Sequence, residues 1–311
     1  DYCCYTSIFQ IKQGRRMILD GKLVAKKTRS AIKSIIKKHK LKPGLATILV
    51  GADPASQIYV GSKQKTAKRL GFHSLQIDLP ADCSEETLSA SIEDLNLNPE
   101  IHGILLQLPL PKHLNANHHL AQIAPEKDVD GFHPLNVGGL SLNLDVLAPC
   151  TPKGVIRLLS AYQIPLRGLN AVIIGRSNIV GRPIAQLLLH QNATVSVLHS
   201  STKDMQEFTK NADLIVCATG IPKLVGPQHL GRHCHLVDVG INRLEDGSIV
   251  GDLDYEALHE HDFCASITPV PGGVGPMTIA MLMENCLLAY IKQANLQINA
   301  SQELENLRIN E

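Results

Sequence analysis

The chain has 311 residues, 44% of them apolar, enough for about two domains at roughly 150 residues each. Its formal net charge is +1, so the charge balance gives no reason to expect nucleic acid or an anionic membrane as a partner. No run of about 18 apolar residues reads as a membrane-spanning helix.

Residues 1–16 differ in character from the rest of the chain. Lys12, Arg15 and Arg16 come after an apolar stretch, the reverse of the order in a signal peptide. Met17 opens a run that reads as a natural N-terminus, so 1–16 is expected to be a poorly ordered extension. Residues 20–40 place Leu23, Val24, Ala31, Ile32, Ile35 and Ile36 at helical spacing, with lysines and Arg29 between them as a solvated face. Lys42-Pro43-Gly44 should end that helix. Leu45 to Val50 reads as a short buried strand, 54–70 as a helix with Pro54 in its first turn, and 73–79 as a strand. A helix over 84–97 and a buried strand from Ile101 to Leu108 come next. Alternating strands and helices imply a parallel sheet.

Residues 109–153 are rich in Pro, Gly and Asn and mark the crossing between domains. Thr151 suits an N-cap and Pro152 the first position of a helix over 152–162. A second unit then begins. Ala171 to Ile174, Thr194 to Leu198, Leu214 to Ala218 and Leu236 to Val239 read as strands, and Pro183 to His190 and 203–211 as helices. This β-α-β-α-β succession is of the mononucleotide-binding kind. A late helix over 276–294, rich in Met and Leu, should return to pack on the first domain.

Eight cysteines stand at 3, 4, 83, 150, 217, 234, 264 and 286, none in a Cys-x-x-Cys pair. Several, such as Cys217 and Cys286, lie in apolar runs and act there as small hydrophobes. They read as reduced thiols of a cytoplasmic protein. In His233-Cys234-His235, strand alternation would aim both imidazoles one way and the thiol the other; no further ligands converge by spacing, so no metal is expected.

A strand, Gly175, a turn and then a helix is the context of a phosphate-binding loop. The spelling is irregular: Gly-x-Gly-x-x-Gly would put glycines at 175, 177 and 180, but Ser177 and Val180 stand there and the glycine moves to Gly181. Taken alone, the loop fits a tight turn equally well. The next strand ends Leu198-His199-Ser200-Ser201-Thr202, without the carboxylate that usually meets the ribose hydroxyls of NAD. Arg176 with these hydroxyls suits a 2′-phosphate, favouring NADP, unless Arg176 is only a surface charge.

In the first half, Tyr59 and Lys63 are four residues apart and share a helix face. A lysine turned inward beside an aromatic ring becomes a proton carrier nearer neutrality. A surface lysine with a tyrosine on its stem has the same spacing. Gln107 interrupts an apolar strand and needs partners, whether a ligand or nearby backbone. Asp128-Val129-Asp130-Gly131 reads first as turn chemistry.

Taken together, these segments resemble one family. They are Tyr59-x3-Lys63, Gln107-Leu108-Pro109-Leu110-Pro111, Pro125 to Gly131, Pro149 to Gly154, Gly175-Arg176-Ser177-x2-Val180-Gly181, and Pro269 to Thr278. The family is the bifunctional methylenetetrahydrofolate dehydrogenase/methenyltetrahydrofolate cyclohydrolase, and the resemblance runs from about Met17 to about Tyr290. Gly139 stands where bacterial relatives often have a basic residue.

The resemblance implies an α/β protein of two domains, with the active-site cleft between them. Residues 17–148 with 276–311 would form the folate-binding catalytic domain and 149–275 a Rossmann-type NADP-binding domain. It implies a homodimer acting on tetrahydrofolate derivatives. NADP would take hydride from 5,10-methylenetetrahydrofolate, and water would convert the methenyl product to 10-formyltetrahydrofolate. Lys63 would shuttle protons, with Gln107 holding it, Tyr59 lining the ring face and Asp130 accepting from the pterin. Leu108, Pro271, Gly272, Gly273 and Thr278 would complete the folate site. Gly175, Arg176, Ser177, Ser200, Thr219, Gly220 and Ile241 would hold the cofactor. A non-catalytic folate- or nucleotide-binding protein on the same scaffold is the alternative, and another two-domain NADP dehydrogenase a third reading.

Overall fold

The computed structural model describes residues 16–305 and 307–309, so the extension lies outside the described residues except for Arg16. The first elements are β1 (Met17–Ile18), α1 (Gly21–His39), β2 (Gly44–Val50) and α2 (Pro54–Leu70). β3 (His73–Leu79), α3 (Glu85–Leu97) and β4 (Gly103–Leu106) come after them. The three longer strands form a parallel sheet in the order β3-β2-β4. Central β2 is buried along its whole length, as its apolar run, interrupted only by Thr47, requires.

α1 shows how the pattern acts. Asp20 caps it by accepting from the Leu23 amide at 3.1 Å. Val24, Thr28, Ile32, Ile35 and Ile36 form the buried stripe, while Lys26, Lys33, Lys37 and Lys38 stay in solvent. The helix stops at Lys40, in the left-handed conformation, two residues before the expected Lys42-Pro43-Gly44.

The crossing at 109–153 is not pure loop. It holds α4 (Ala116–Leu120) and α5 (Pro134–Ser141), both too short to show a period. α6 (Cys150–Ala161) starts earlier than expected, and Thr151 does not cap it. Pro149 precedes the helix without a side-chain cap, and the Thr151 hydroxyl meets that of Thr278 at 2.9 Å instead.

The second half contains β5 (Asn170–Ile174), α7 (Gly181–His190), β6 (Thr194–Leu198), α8 (Met205–Thr209), β7 (Leu214–Cys217) and β8 (Cys234–Asp238). β9 (Asn242–Arg243) and β10 (Ile249–Val250) form an antiparallel hairpin. Then come α9 (Tyr255–Leu258), β11 (Cys264–Ile267), α10 (Val274–Gln293) and α11 (Ala300–Glu305). Six parallel strands run in the order β1-β11-β8-β7-β5-β6. The N-terminal β1 thus edges the sheet of the second half. The chain reverses its direction across the sheet at β5, with β6 on one side and β7 on the other, which opens a crevice at their carboxyl ends.

One core joins the halves. α10 packs against both α1 and α6, burying Met277, Met281, Met283 and Leu287 with Ile32, Val155 and Leu158. By length and composition α10 could cross a membrane, although polar residues interrupt its apolar run; 67% of it is buried inside the protein. The six described cysteines are all buried free thiols.

Candidate active site

α2 places the first-half chemistry. Asp53 accepts from the Ser56 amide at 2.8 Å, and Pro54 occupies the first turn. Val60 and Ala67 face the core, leaving Tyr59 exposed and Lys63 half-buried on the neighbouring side. β4 delivers Gln107 opposite. Its amide nitrogen donates to the Ile48 carbonyl at 2.9 Å, extending the strand pairing by one residue. Its side-chain oxygen then accepts from Lys63 Nζ at 2.9 Å, while its Nε2 donates to the Leu108 carbonyl at 2.5 Å. An ammonium has only donors, so it fixes which end of the amide faces it.

The Asp-Val-Asp-Gly segment is tied down from three sides. Lys127, buried, donates to the carbonyls of Leu95, Asn96 and Asn98 at the end of α3. The Lys127 carbonyl accepts from the Ile104 amide at 2.7 Å. Asp128 accepts from the amides of Gly131 and His133 and from Asn136 Nδ2. Gly131 has φ +72°, and a Cβ there would meet the Leu147 carbonyl oxygen and the Pro149 nitrogen at 2.7 and 2.6 Å. Asp130 is left half-buried with Lys63 as its nearby cation. Burial pushes its carboxyl above the usual carboxylate range, and the Lys63 charge pulls it partly back.

The cofactor loop sits at the crevice between β5 and β7. Gly175 has φ +118°, and a Cβ there would lie 2.3 Å from the Ala218 carbonyl oxygen at the end of β7. Gly181 opens α7 so close to the loop that its Cβ would stand 2.1 Å from the Gly175 oxygen. The displaced glycine therefore meets the packing demand that the usual motif assigns one position earlier. Ser177 Oγ accepts from the amides of Val180 and Gly181 in the first turn. Arg176 is exposed beside them.

At the next strand end, Gly175 N donates to the Leu198 carbonyl at 2.9 Å, which brings the exposed Ser200 and Ser201 to the same edge. The first acid beyond is Asp204, whose side chain caps α8 through Gln206 and Glu207. Of the sequence His233-Cys234-His235, the thiol is buried and His235 Nδ1 meets Ser266 Oγ at 2.8 Å. Among the described residues no group of three or more His, Cys, Asp or Glu gathers as a metal site.

A cavity of about 230 Å³ is lined from both halves of the chain, although Lys63, Gln107, Asp130 and the Gly175-Arg176-Ser177 loop are not on its wall. Tyr59 lines it from the first half, Ile241 from the second, and Pro271, Gly272 and Gly273 between them. Lys22 and Ile249 also line it, and sequence reasoning missed both. Ile249 lies on the two-residue β10, too short for an alternation signal. Thr278 and Leu108 are not on the cavity wall: Thr278 pairs with Thr151, and Leu108 packs on the β2–β4 core. Thr219 and Gly220, beyond the end of β7, donate to Asp252. A larger cavity of about 600 Å³, by Gln57, Gly61 and Asp78, carries none of the predicted site residues.

Known proteins match this arrangement over nearly its whole length. The family described as tetrahydrofolate dehydrogenase/cyclohydrolase matches twice: its catalytic domain over residues 19–130, and its NAD(P)-binding domain over 149–294. The bifunctional protein FolD of Campylobacter concisus (strain 13826) is 52% identical over 275 residues, covering 88% of this chain and 96% of that protein. The solved bifunctional enzyme FolD, methylenetetrahydrofolate dehydrogenase/cyclohydrolase, of Campylobacter jejuni is 48% identical with a TM-score of 0.86. That match covers 89% of this chain and 99% of the solved one. A methylenetetrahydrofolate dehydrogenase-cyclohydrolase of Trypanosoma brucei, solved with NADP cofactor and an inhibitor, is 34% identical with a TM-score of 0.85. It covers 90% of this chain and 99% of its own. The chain belongs to the tetrahydrofolate dehydrogenase/cyclohydrolase family.

Proposed function

We propose that the chain carries out two consecutive reactions on one folate. The first is NADP-dependent oxidation of 5,10-methylenetetrahydrofolate to 5,10-methenyltetrahydrofolate. The second is hydrolysis of that product to 10-formyltetrahydrofolate. The Lys63–Gln107 hydrogen bond beside Asp130, on the helix whose Tyr59 lines the inter-domain cavity, carries this reading.

The loop fits NADP. The glycine cradle at 175 and 181 leaves room for a pyrophosphate at the α7 N-terminus, and no carboxylate ends β6. Gly175, Ser177 and the first turn of α7 would hold the pyrophosphate, with Arg176 and Ser200 at the 2′-phosphate. Thr219, Gly220 and Ile241 would take the nicotinamide half. Bound NADP⁺ supplies the hydride acceptor. The methylene carbon needs no acid to lose hydride, because its flanking nitrogens stabilise the cation. The protein's part in this step is to hold carbon and acceptor together, with Tyr59 and the Pro271-Gly272-Gly273 wall fixing the ring.

Hydrolysis makes a different demand. Water adds to the methenyl carbon and gives up both its protons, one reaching the ring nitrogen as its C–N bond breaks and the other passing to solvent. Lys63 would move the proton to the ring nitrogen. Gln107 Oε1 accepts from Nζ and holds the ammonium in place, and ionised Asp130 accepts from the pterin N–H groups. The division into a folate half of 17–148 with 276–311 and a cofactor half of 149–275, homodimeric assembly and a cytoplasmic location belong to the same proposal, on the family resemblance.

An assay of the purified chain with 5,10-methylenetetrahydrofolate tests it. NADPH absorbance should rise with NADP⁺ much faster than NADH absorbance does with NAD⁺, and the methenyl absorbance should decay afterwards. Silence in both signals would leave the non-catalytic binding reading.

A further inference from the structure

Two buried acidic residues stand at the cofactor end of the cavity, Asp238 on its wall and Asp252 behind it, and neither reaction step uses them. Asp238 ends β8 and Asp252 comes just after β10; they are 3% and 0% exposed. Asp238 accepts from the amides of Gly240, Asp252 and Leu253 at 2.9, 3.0 and 2.8 Å. Asp252 Oδ2 accepts from Thr219 N at 2.6 Å, Thr219 Oγ1 at 2.9 Å and Gly220 N at 3.0 Å. Its Oδ1 accepts from Asn242 Nδ2 at 2.9 Å.

The arrangement is reciprocal. Each carboxylate approaches the glycine beside the other's segment: a Cβ on Gly240 would meet Asp252 Oδ1 at 2.0 Å, and one on Gly251 would meet Asp238 Oδ2 at 1.9 Å. The two acids therefore lock together three segments distant in sequence: 219–220, 238–242 and 251–253. The first two end strands at the cofactor edge of the sheet, and Val239, Gly240 and Ile241 line the cavity with Tyr59. A buried carboxylate makes stronger hydrogen bonds than a neutral acceptor, and Asp252 gathers four donors.

We infer that Asp252 is a positioning residue for the hydride-transfer half of the reaction, fixing the strand ends at Thr219-Gly220 and Asn242 against which the nicotinamide half of the cofactor is held. It acts through these neighbours rather than on the folate. The inference rests on the two-reaction reading of the site. It separates the two activities, because hydrolysis of the methenyl compound needs Lys63 and the folate residues but no hydride acceptor.

Asp252→Asn tests it with almost no change of volume. An amide NH₂ facing Thr219 and Gly220 opposes three donors, and turned the other way it opposes Asn242 Nδ2. The expected result is a KM for NADP⁺ raised about tenfold, the size of one or two lost net hydrogen bonds, with methenyl hydrolysis within about twofold of wild type. If wild type lacks both activities, the functional reading has failed. An unchanged KM for NADP⁺ in the soluble variant, or an equal fall in both activities, overturns the positioning role alone. Should Asp252→Asn not accumulate, Asn242→Ala removes one donor to the same carboxylate and carries the test: KM for NADP⁺ should rise about threefold with hydrolysis unchanged, and no rise overturns the inference.

Discussion

Asp128 and Asp130 stand two residues apart in one motif and have different tasks. Asp128 is filled by three donors and shapes the turn, whereas Asp130 has the Cys150 thiol beside it and, in the proposed mechanism, faces the folate. Spacing alone reads both as turn chemistry, since it does not say which carboxylate the backbone consumes; only the family resemblance singles out Asp130. The same limit applies to Lys63 and Gln107, whose meeting across 44 residues depends on α2 lying beside the end of β4. Burial holds the Asp130 carboxyl above its ordinary value, so it takes up a proton at higher pH than a free aspartate and then ceases to be a pure acceptor. Affinity for the folate should therefore weaken on acidification, starting above the usual carboxylate range. KM for 5,10-methylenetetrahydrofolate against pH should show this in wild type, while Asp130→Asn, with nothing to titrate there, should give a weaker but flatter profile. At the cofactor edge, Arg176→Ala should raise KM for NADP⁺ by about tenfold or more and change KM for NAD⁺ little, since only NADP carries the 2′-phosphate. An unchanged ratio between the cofactors would remove Arg176 from that role.

Elements long enough to show a period were legible. α1, α2, α3 and the strands β2, β3, β5 and β6 fall within a residue or so of where apolar spacing puts them. The hairpin β9–β10, the strand β11 and the helices α4, α5 and α9 were not; β4, β7 and α8 are as short, but the regular strand–helix alternation placed them, and the missed elements lie outside it. The Thr151 cap failed for a tertiary reason: a neighbouring helix offers its hydroxyl a partner in Thr278. The phosphate loop failed only in spelling, since Gly181 meets the close approach to Gly175 that the sequence motif seemed to lack. Gly181→Ala should consequently cost stability as well as cofactor. A methyl placed 2.1 Å from a backbone oxygen forces loop and helix apart, at about 1–3 kcal/mol for such overpacking. A lower midpoint in urea together with a raised KM for NADP⁺ is the expected pair of results; a full-stability variant would show that the helix can shift freely.

At the scale of the molecule, α10 is the element that makes two sheets into one site. Its N-terminal end adjoins the Pro271-Gly272-Gly273 wall, and its body packs on α1 and α6 at once. Inside that contact, Glu284 pairs with Lys153 at 2.9 Å and Arg157 at 3.0 Å. Burial alone would push the Glu284 carboxyl up, but the two cations outweigh it and hold it below the usual range. A depressed folded value means that the pair's stabilisation is present above the unfolded value and lost as pH falls through the folded one. Glu284→Ala should thus destabilise by about 3–5 kcal/mol near neutrality by stranding two cations, and thermal melts in acid should show the gap to wild type closing. Such joining contacts are long-range: the sequence signals a helix rich in Met and Leu that returns to the first domain, but not which cations meet Glu284. In the proposed mechanism one folate site runs two reactions, and Lys63 moves the proton that only the second requires. The most direct test is Lys63→Met, with both activities measured on the same sample. Methenyl hydrolysis should fall below detection while NADPH formation declines much less, so that the methenyl compound accumulates; equal retention or equal loss of the two activities would contradict the account.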